Sequence, residues 1–365
     1  AALQSLVLLE NRHQALPLDA GKLGSLAVIG PLADDPYEQL GTWIFDGDPS
    51  LSQTPLNAIR QHLGERVEVN YVKAMETSRS RSTEGFDEAA RAARAADVVV
   101  VFLGEESILS GETHSRADIN LPGSQAELIA ALRESGKPVI AVVMAGRPLT
   151  LGNIVDQVDA LLFAWHPGTM GGPAIADVLF GVESPSGKLP ATFPLVVGQV
   201  PIYYAHKNTG RPASPENFTH MDDIPVRAPQ YSWGFGSFHL DAGYKPLYAF
   251  GHGLSYTQFE YSDIEVSETD IGMDERFTVQ AVVRNAGEVE ADEVVQLYVR
   301  DLVANVTRPV KELKGFQRLR LKPGEQRRVS FELGPDDLAF YGRDMTLTTE
   351  PGEFDAWVGG SSATA

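Results

Sequence analysis

The sequence contains no cysteine. Disulfides, thiol nucleophiles and cysteine-ligated metal are therefore excluded. The compartment is not, because periplasmic and cytosolic proteins alike can lack cysteine. Positive charge is scarce: 30 Lys and Arg stand against 49 Asp and Glu, a formal net charge of −19. Nucleic acid and anionic membrane surfaces reward a basic face, so neither is an expected partner. A neutral ligand such as a sugar suits this balance better. No run of about 18 apolar residues occurs, so no helical membrane span is expected. No Gly-x-Ser-x-Gly elbow is present to anchor a serine hydrolase triad. The histidines are scattered, and no pair sits at i, i+4 with a carboxylate, which argues against zinc. The P-loop and dinucleotide fingerprints are missing as well.

Apolar residues make up 43% of the 365 positions and charged residues 22%. That is globular composition with material for two or three domains. The chain opens Ala1-Ala2-Leu3 without Met, inside an apolar-periodic segment carrying Leu6, Val7 and Leu9. Domains usually begin in a polar, exposed tail, so this start reads as a cut within a longer protein.

Strand-like and helix-like runs alternate through the first half. Residues 26–30, 97–104, 139–145 and 160–165 are apolar, and 97–104 (Asp-Val-Val-Val-Val-Phe-Leu-Gly) is a continuous β-branched run. Such a run marks a strand buried on both faces. Residues 67–72 alternate as a further strand. Helices are expected over 54–63, with Thr54 as N-cap and Pro55 at the first helical position, and over 85–96, 123–135 and 171–180. The fold expected is an α/β sandwich domain, a mostly parallel open sheet with helices on both faces. Residues 184–253 are rich in Pro, Gly, Tyr, Asn and His and read as a functional loop system. From Phe259 onward, short alternating segments separated by Asn285-Ala286-Gly287, Pro323-Gly324 and Pro351-Gly352 predict an all-β immunoglobulin-like sandwich.

In open α/β sheets ligands bind beyond the carboxyl ends of the strands. Directly after the buried strand 97–104 comes a segment, 105–118, that holds four carboxylates (Glu105, Glu106, Glu112, Asp118) with His114 and Arg116. A carboxylate on such a loop can act as a general acid, and Arg116 can orient a carboxylate or a sugar hydroxyl. A solvated acidic loop laced with salt bridges is the plainer alternative. The glycine-rich turn from Trp165 to Gly172 reads first as close helix–strand packing, and Met144-Ala145-Gly146-Arg147-Pro148 as a strand stop. Tyr203, Tyr204, Tyr231, Trp233, Phe235 and Phe238 fit either sugar stacking or plugs beneath a long loop.

Several blocks resemble the C-terminal half of a family 3 glycoside hydrolase of the bacterial periplasmic β-glucosidase type. They are Ser5-Leu6-Val7-Leu8-Leu9-Glu10-Asn11, Ala27-Val28-Ile29-Gly30-Pro31, Gly111-Glu112 with Ser115-Arg116-Ala117-Asp118, Pro185-Ser186-Gly187-Lys188-Leu189-Pro190, Phe250-Gly251-His252-Gly253-Leu254-Ser255-Tyr256-Thr257 and Arg308-Pro309-Val310-Lys311-Glu312-Leu313. The resemblance implies an α/β sandwich domain over 1–200 that carries the acid/base loop, a loop-rich connector over 201–258, and a fibronectin type III-like domain over 259–365. It places a barrel domain before Ala1.

The same resemblance implies part of a retaining, exo-acting β-glucosidase that hydrolyses terminal β-D-glucosyl residues of β-glucosides or cello-oligosaccharides. Glu112 matches the acid/base, with Glu105 as the competing candidate. The nucleophilic Asp belongs to the barrel, on the same or a separate chain. Arg116 and His114 are implied to orient Glu112 or bind sugar. No cofactor and no metal are implied, and the location implied is periplasmic or secreted. From composition, the stretch 201–244 is expected to reach an active-site mouth, its own chain's or that of a homodimer partner. The alternatives are a non-catalytic carbohydrate-binding or assembly module, or a β-xylosidase-type family member.

Overall fold

The computed structural model describes residues 1–229 and 236–365. Tyr231, Trp233 and Phe235 lie outside the described residues. The first half runs α1 (Ala2–Ser5), β1 (Val7–Asn11), β2 (Ser25–Ile29), α2 (Pro55–Leu63), β3 (Glu68–Val72), α3 (Phe86–Ala95), β4 (Val98–Gly104), α4 (Gln125–Arg133), β5 (Val139–Met144), β6 (Ala160–Phe163) and α5 (Gly171–Leu179). One six-stranded sheet has the order β1-β6-β5-β4-β2-β3. Strands β2 to β6 are parallel, and β1 closes one edge antiparallel to β6.

Strand β4 shows why the pattern specifies the layers. All seven of its residues are buried. Side chains alternate between faces, so Val99, Val101 and Leu103 pack with Ala89 and Ala93 of α3 and Leu128 and Leu132 of α4. Val98, Val100 and Phe102 pack with Ile59 and Leu63 of α2 and Ile175 and Leu179 of α5. Each such side chain contributes about 1.5–3 kcal/mol on burial. Helix α2 starts as its sequence expects: Thr54 Oγ1 accepts from Asn57 N at 3.4 Å and Pro55 occupies the first turn. The glycine-rich turn serves packing, because Gly172 N at the start of α5 donates to Gln53 O at 3.0 Å beside α2.

The sheet order sets the site. From β2 the chain steps outward to β3, returns across β2 to β4, and continues to β5 and β6. The crevice between the carboxyl ends of β2 and β4 is the topological switch point, where open α/β sheets take ligands. Residues 30–54 leave β2 there, and residues 105–124 leave β4.

The second half holds β7 (Phe259–Val266), β8 (Phe277–Asn285), β9 (Ala291–Asp301), β10 (Glu312–Leu321), β11 (Gln326–Leu333), α6 (Pro335–Leu338), β12 (Phe340–Tyr341), β13 (Leu347–Thr348) and β14 (Phe354–Gly359). Two antiparallel sheets, β10-β9-β14 and β11-β8-β7, enclose a core that includes Val279, Ala281, Val283, Val295, Leu297 and Phe331. The joint between the halves is made by the two motif segments 185–190 and 250–257. Gly187 N donates to Leu6 O at 3.1 Å, Leu189 N to His252 O at 2.9 Å, and Leu254 N to Leu8 O at 2.8 Å. A Cβ on Gly187 would fall 2.3 Å from Leu6 O, so only glycine permits this crossing. Lys188 Nζ then reaches Gly253 O at 2.8 Å and the buried Glu293 of β9 at 3.2 Å. The stretch 201–244 is tied to the β-sandwich side: Val310 N donates to His206 O at 2.9 Å, and Tyr204 stacks on Phe250 with centroids 4.3 Å apart. Among the described residues no hydrogen bond joins it to the loop 105–118.

Candidate active site

The loop after β4 is built from its buried end outward. Glu105 N prolongs the ladder by donating to Met144 O at 2.8 Å. Its side chain is fully buried and both oxygens are ion-paired, Oε1 with Arg116 Nη1 and Oε2 with Arg147 Nε at 3.1 Å. Arg116 Nη2 also donates to Asn120 O at 3.0 Å. Arg147, at the carboxyl end of β5, turns its Nη2 to Leu109 O and to His114 O, the latter at 2.9 Å. Glu106 is held by Ser78 Oγ at 2.8 Å and Arg79 at 3.2 Å. From the β2 side, Glu38 accepts from Ser107 N at 2.5 Å, and Thr42 Oγ1 reaches the carbonyls of Ser107 and Ser110 (2.8 Å to Ser110).

At the tip of this loop stands Glu112. Its neighbours Gly111 and Thr113 both have positive φ, 118° and 66°. Glycine adopts that region freely, whereas a β-branched residue there stores strain, and such strain gathers at functional sites. A Cβ on Gly111 would also lie 2.7 Å from Thr42 Cγ2. The Glu112 side chain is exposed and makes no hydrogen bond or ion pair with any described residue. His114 N closes the turn onto Gly111 O at 3.2 Å, and its ring Nδ1 donates to Ser110 O at 3.3 Å. Of the residues singled out from the sequence, then, Glu112 and His114 share the exposed tip. Arg116 is committed to Glu105 and Asn120 beneath it. Glu105 has no surface from which to reach a substrate.

Two further features lie on neighbouring segments. Trp43 and Phe45, on the loop that Thr42 ties to Ser110, are 61% and 90% exposed, with ring centroids 6.1 Å apart. His166 is half-buried and close to Gly41, where a Cβ would lie 3.1 Å from His166 Cβ. Neither ring nitrogen of His166 completes a hydrogen bond. Burial pulls its pKa down to about 4, opposed by the Glu38 main chain. An unfolded chain therefore binds a proton between pH 6.5 and about 4 that the folded one refuses, so stability falls as pH falls through that window, by about 3 kcal/mol in all. His166→Phe is expected to abolish this component. Urea midpoints at pH 7 and 4.5 check it: the variant should lose less stability on acidification than the parent.

Among the described residues no group of three or more His, Cys, Asp or Glu is arranged to hold a metal ion. Sequence reasoning did not single out Glu38, Thr42 or Trp43, and it read Arg147 only as part of a strand stop and His166 only as part of a packing turn. Arg147 carried one usable signal, its place at the carboxyl end of a buried strand.

Comparison with known proteins identifies the domains. Residues 6–256 match the model of the glycosyl hydrolase family 3 C-terminal domain, and residues 293–362 match that of the fibronectin type III-like domain. The periplasmic β-glucosidase of Salmonella typhimurium is 41% identical over 99% of this chain and 48% of its own length. A β-xylosidase of Formosa agariphila is 40% identical over 98% of this chain and 47% of its own. The crystal structure of a Listeria innocua β-glucosidase in complex with isofagomine superposes with a TM-score of 0.89 at 36% identity, covering 100% of this chain and 48% of that one. The chain thus spans about half the length of the curated relatives it matches. With an α/β domain and a fibronectin type III-like sandwich joined in this order, the chain belongs to glycosyl hydrolase family 3.

Proposed function

We propose that this chain supplies the general acid/base of a retaining, exo-acting β-glucosidase, with Glu112 in that role. The nucleophilic carboxylate comes from a barrel domain in the half of the relatives that this chain does not span. In this reading the α/β domain occupies 1–200, the connector 201–258 and the fibronectin type III-like domain 259–365. In the first step the nucleophile attacks the anomeric carbon, the glycosidic C–O bond breaks, and Glu112 gives its proton to the departing oxygen. In the second step Glu112, now a carboxylate, takes a proton from water. The water oxygen attacks the anomeric carbon and releases the nucleophile.

The observation that carries this reading is the Glu112 tip itself: an unpartnered carboxylate on a strained turn, at the switch point of a family 3 chain. The exposed rings of Trp43 and Phe45, on the loop that Thr42 ties to Ser110, offer apolar surface for a sugar face or the barrel to cover. Listeria innocua structures in complex with glucose and gluconolactone support glucosides as the substrate class. The name of the Salmonella relative supports a periplasmic or secreted location. No helix among the described residues is long and apolar enough to cross a membrane. A β-xylosidase specificity is the second reading, favoured by the Formosa relative.

The proposal predicts that this chain alone leaves aryl β-glucosides intact, and that activity appears when the barrel half is joined to it. Parallel assays with aryl β-glucoside and aryl β-xyloside check this and separate the two specificities. Full-speed turnover by the chain alone would overturn the proposal, because one carboxylate cannot run the two-step route.

A further inference from the structure

We infer that Arg147 is the positioning residue of the Glu112 loop, acting through the loop's carbonyls and itself anchored on the buried carboxylate of Glu105. The inference rests on the acid/base reading of Glu112. Residues 110–115 contain no regular helix or strand, so the tip is located by tethers from outside. Glu38 and Thr42 hold only its leading side, at Ser107 and Ser110. Arg147 Nη2 bonds Leu109 O before Glu112 and His114 O after it, and so brackets the tip. The same guanidinium spends Nε on Glu105 Oε2 at 3.1 Å. Glu105 in turn is fixed by the β4–β5 ladder and by Arg116. A planar fork fixed at one edge and donating from another is a task for Arg; the single ammonium of Lys cannot reproduce it.

A misplaced proton donor slows only the steps that need the proton. A shift of about 1 Å can cost on the order of 100-fold in rate. Removing the bracket should therefore act selectively on poor leaving groups.

The test uses the full-length protein with two variants, Arg147→Lys and Arg147→Met; in both, Glu105 keeps its ion pair with Arg116 and no buried carboxylate is left alone. Each is assayed with phenyl and dinitrophenyl β-glucosides alongside Glu112→Gln. Expected is a loss of roughly 10–100-fold in kcat/KM on the phenyl substrate and under about 3-fold on the dinitrophenyl one. An equal loss on both substrates, no loss on either, or failure of both variants to fold overturns the inference and leaves Arg147 a stability residue. If Glu112→Gln shows the selective loss and the Arg147 variants do not, the positioning role falls and the acid/base reading stands. If Glu112→Gln shows no selective loss, both fall.

Discussion

Glu112→Gln in the full-length protein is expected to lower kcat/KM for β-glucosides with poor leaving groups by roughly 10²–10⁴-fold, the range that general acid catalysis contributes. Gln has nearly the shape of Glu but no proton to give and no charge with which to take one. Departure of a dinitrophenolate needs no protonation, so the first step survives with that substrate and the second becomes slow. Azide attacks the glycosyl-enzyme without base assistance, so adding it should restore turnover and yield a glucosyl azide. The side chain is exposed and makes no hydrogen bond or ion pair with another described residue, so stability should change by less than about 0.5 kcal/mol. Steady-state kinetics with and without azide, beside a thermal melt, separate chemistry from folding.

Lys188→Met produces the largest expected loss of stability. Lys188 Nζ and Glu293 lie 3.2 Å apart with side chains only 13% and 4% exposed, and Tyr261 OH donates to the same carboxylate at 2.9 Å. Burial pushes the Glu293 carboxyl up, while Lys188 and the Tyr261 hydrogen bond pull it down. Without the ammonium, Glu293 must stay charged and unpaired or take a proton. Breaking one side of a buried pair costs about 3–5 kcal/mol. At about 2–4 °C per kcal/mol, that is a fall in Tm of at least roughly 6 °C.

The sign of the pH dependence follows from the raised carboxyl. The folded state holds the Glu293 proton to higher pH than the unfolded chain does, so this group's contribution to stability is present at acidic pH and lost as pH rises through the folded pKa. The Lys188→Met defect should thus be deeper at pH 7 than at pH 5. Adding Glu293→Gln removes the stranded charge and should recover most of the loss. A double-mutant cycle by urea unfolding measures the coupling. Coupling below about 0.5 kcal/mol would show that the halves are joined by the glycine crossings and not by this pair.

Much of the architecture was legible because local signals agreed with the tertiary demand. Residues 98–104 could only be a strand buried on both faces, and Thr54-Pro55 could hardly do other than start a helix. Strand β1 was not read as a strand, nor was its direction legible. An unbroken apolar run such as Leu6-Val7-Leu8-Leu9 pairs either way, and its antiparallel place beside β6 is decided by where α1 and the joint carry it. In the candidate site, Glu112 was singled out through the motif that contains it. The support beneath was not found, because Arg147 meets its partners 33 to 42 residues away in the chain, and no local spacing records that. Arg116 was singled out to orient Glu112 or bind sugar, and in the structure its guanidinium pairs with the buried Glu105. Of the aromatic residues noted in the irregular stretch, Tyr204 packs on Phe250 and Phe238 on Phe218, both half-buried, whereas Tyr203 is exposed. The exposed rings near the site are Trp43 and Phe45, in a segment where periodicity is silent.

The most direct measurement is a crystal structure of the full-length protein with a bound glucoside. This account predicts a Glu112 carboxylate oxygen about 2.6–3.2 Å from the glycosidic oxygen. The barrel's nucleophilic carboxylate should lie about 5–5.5 Å across from it. A Glu112 carboxyl pointing into solvent away from the sugar, with another side chain at the glycosidic oxygen, would contradict it.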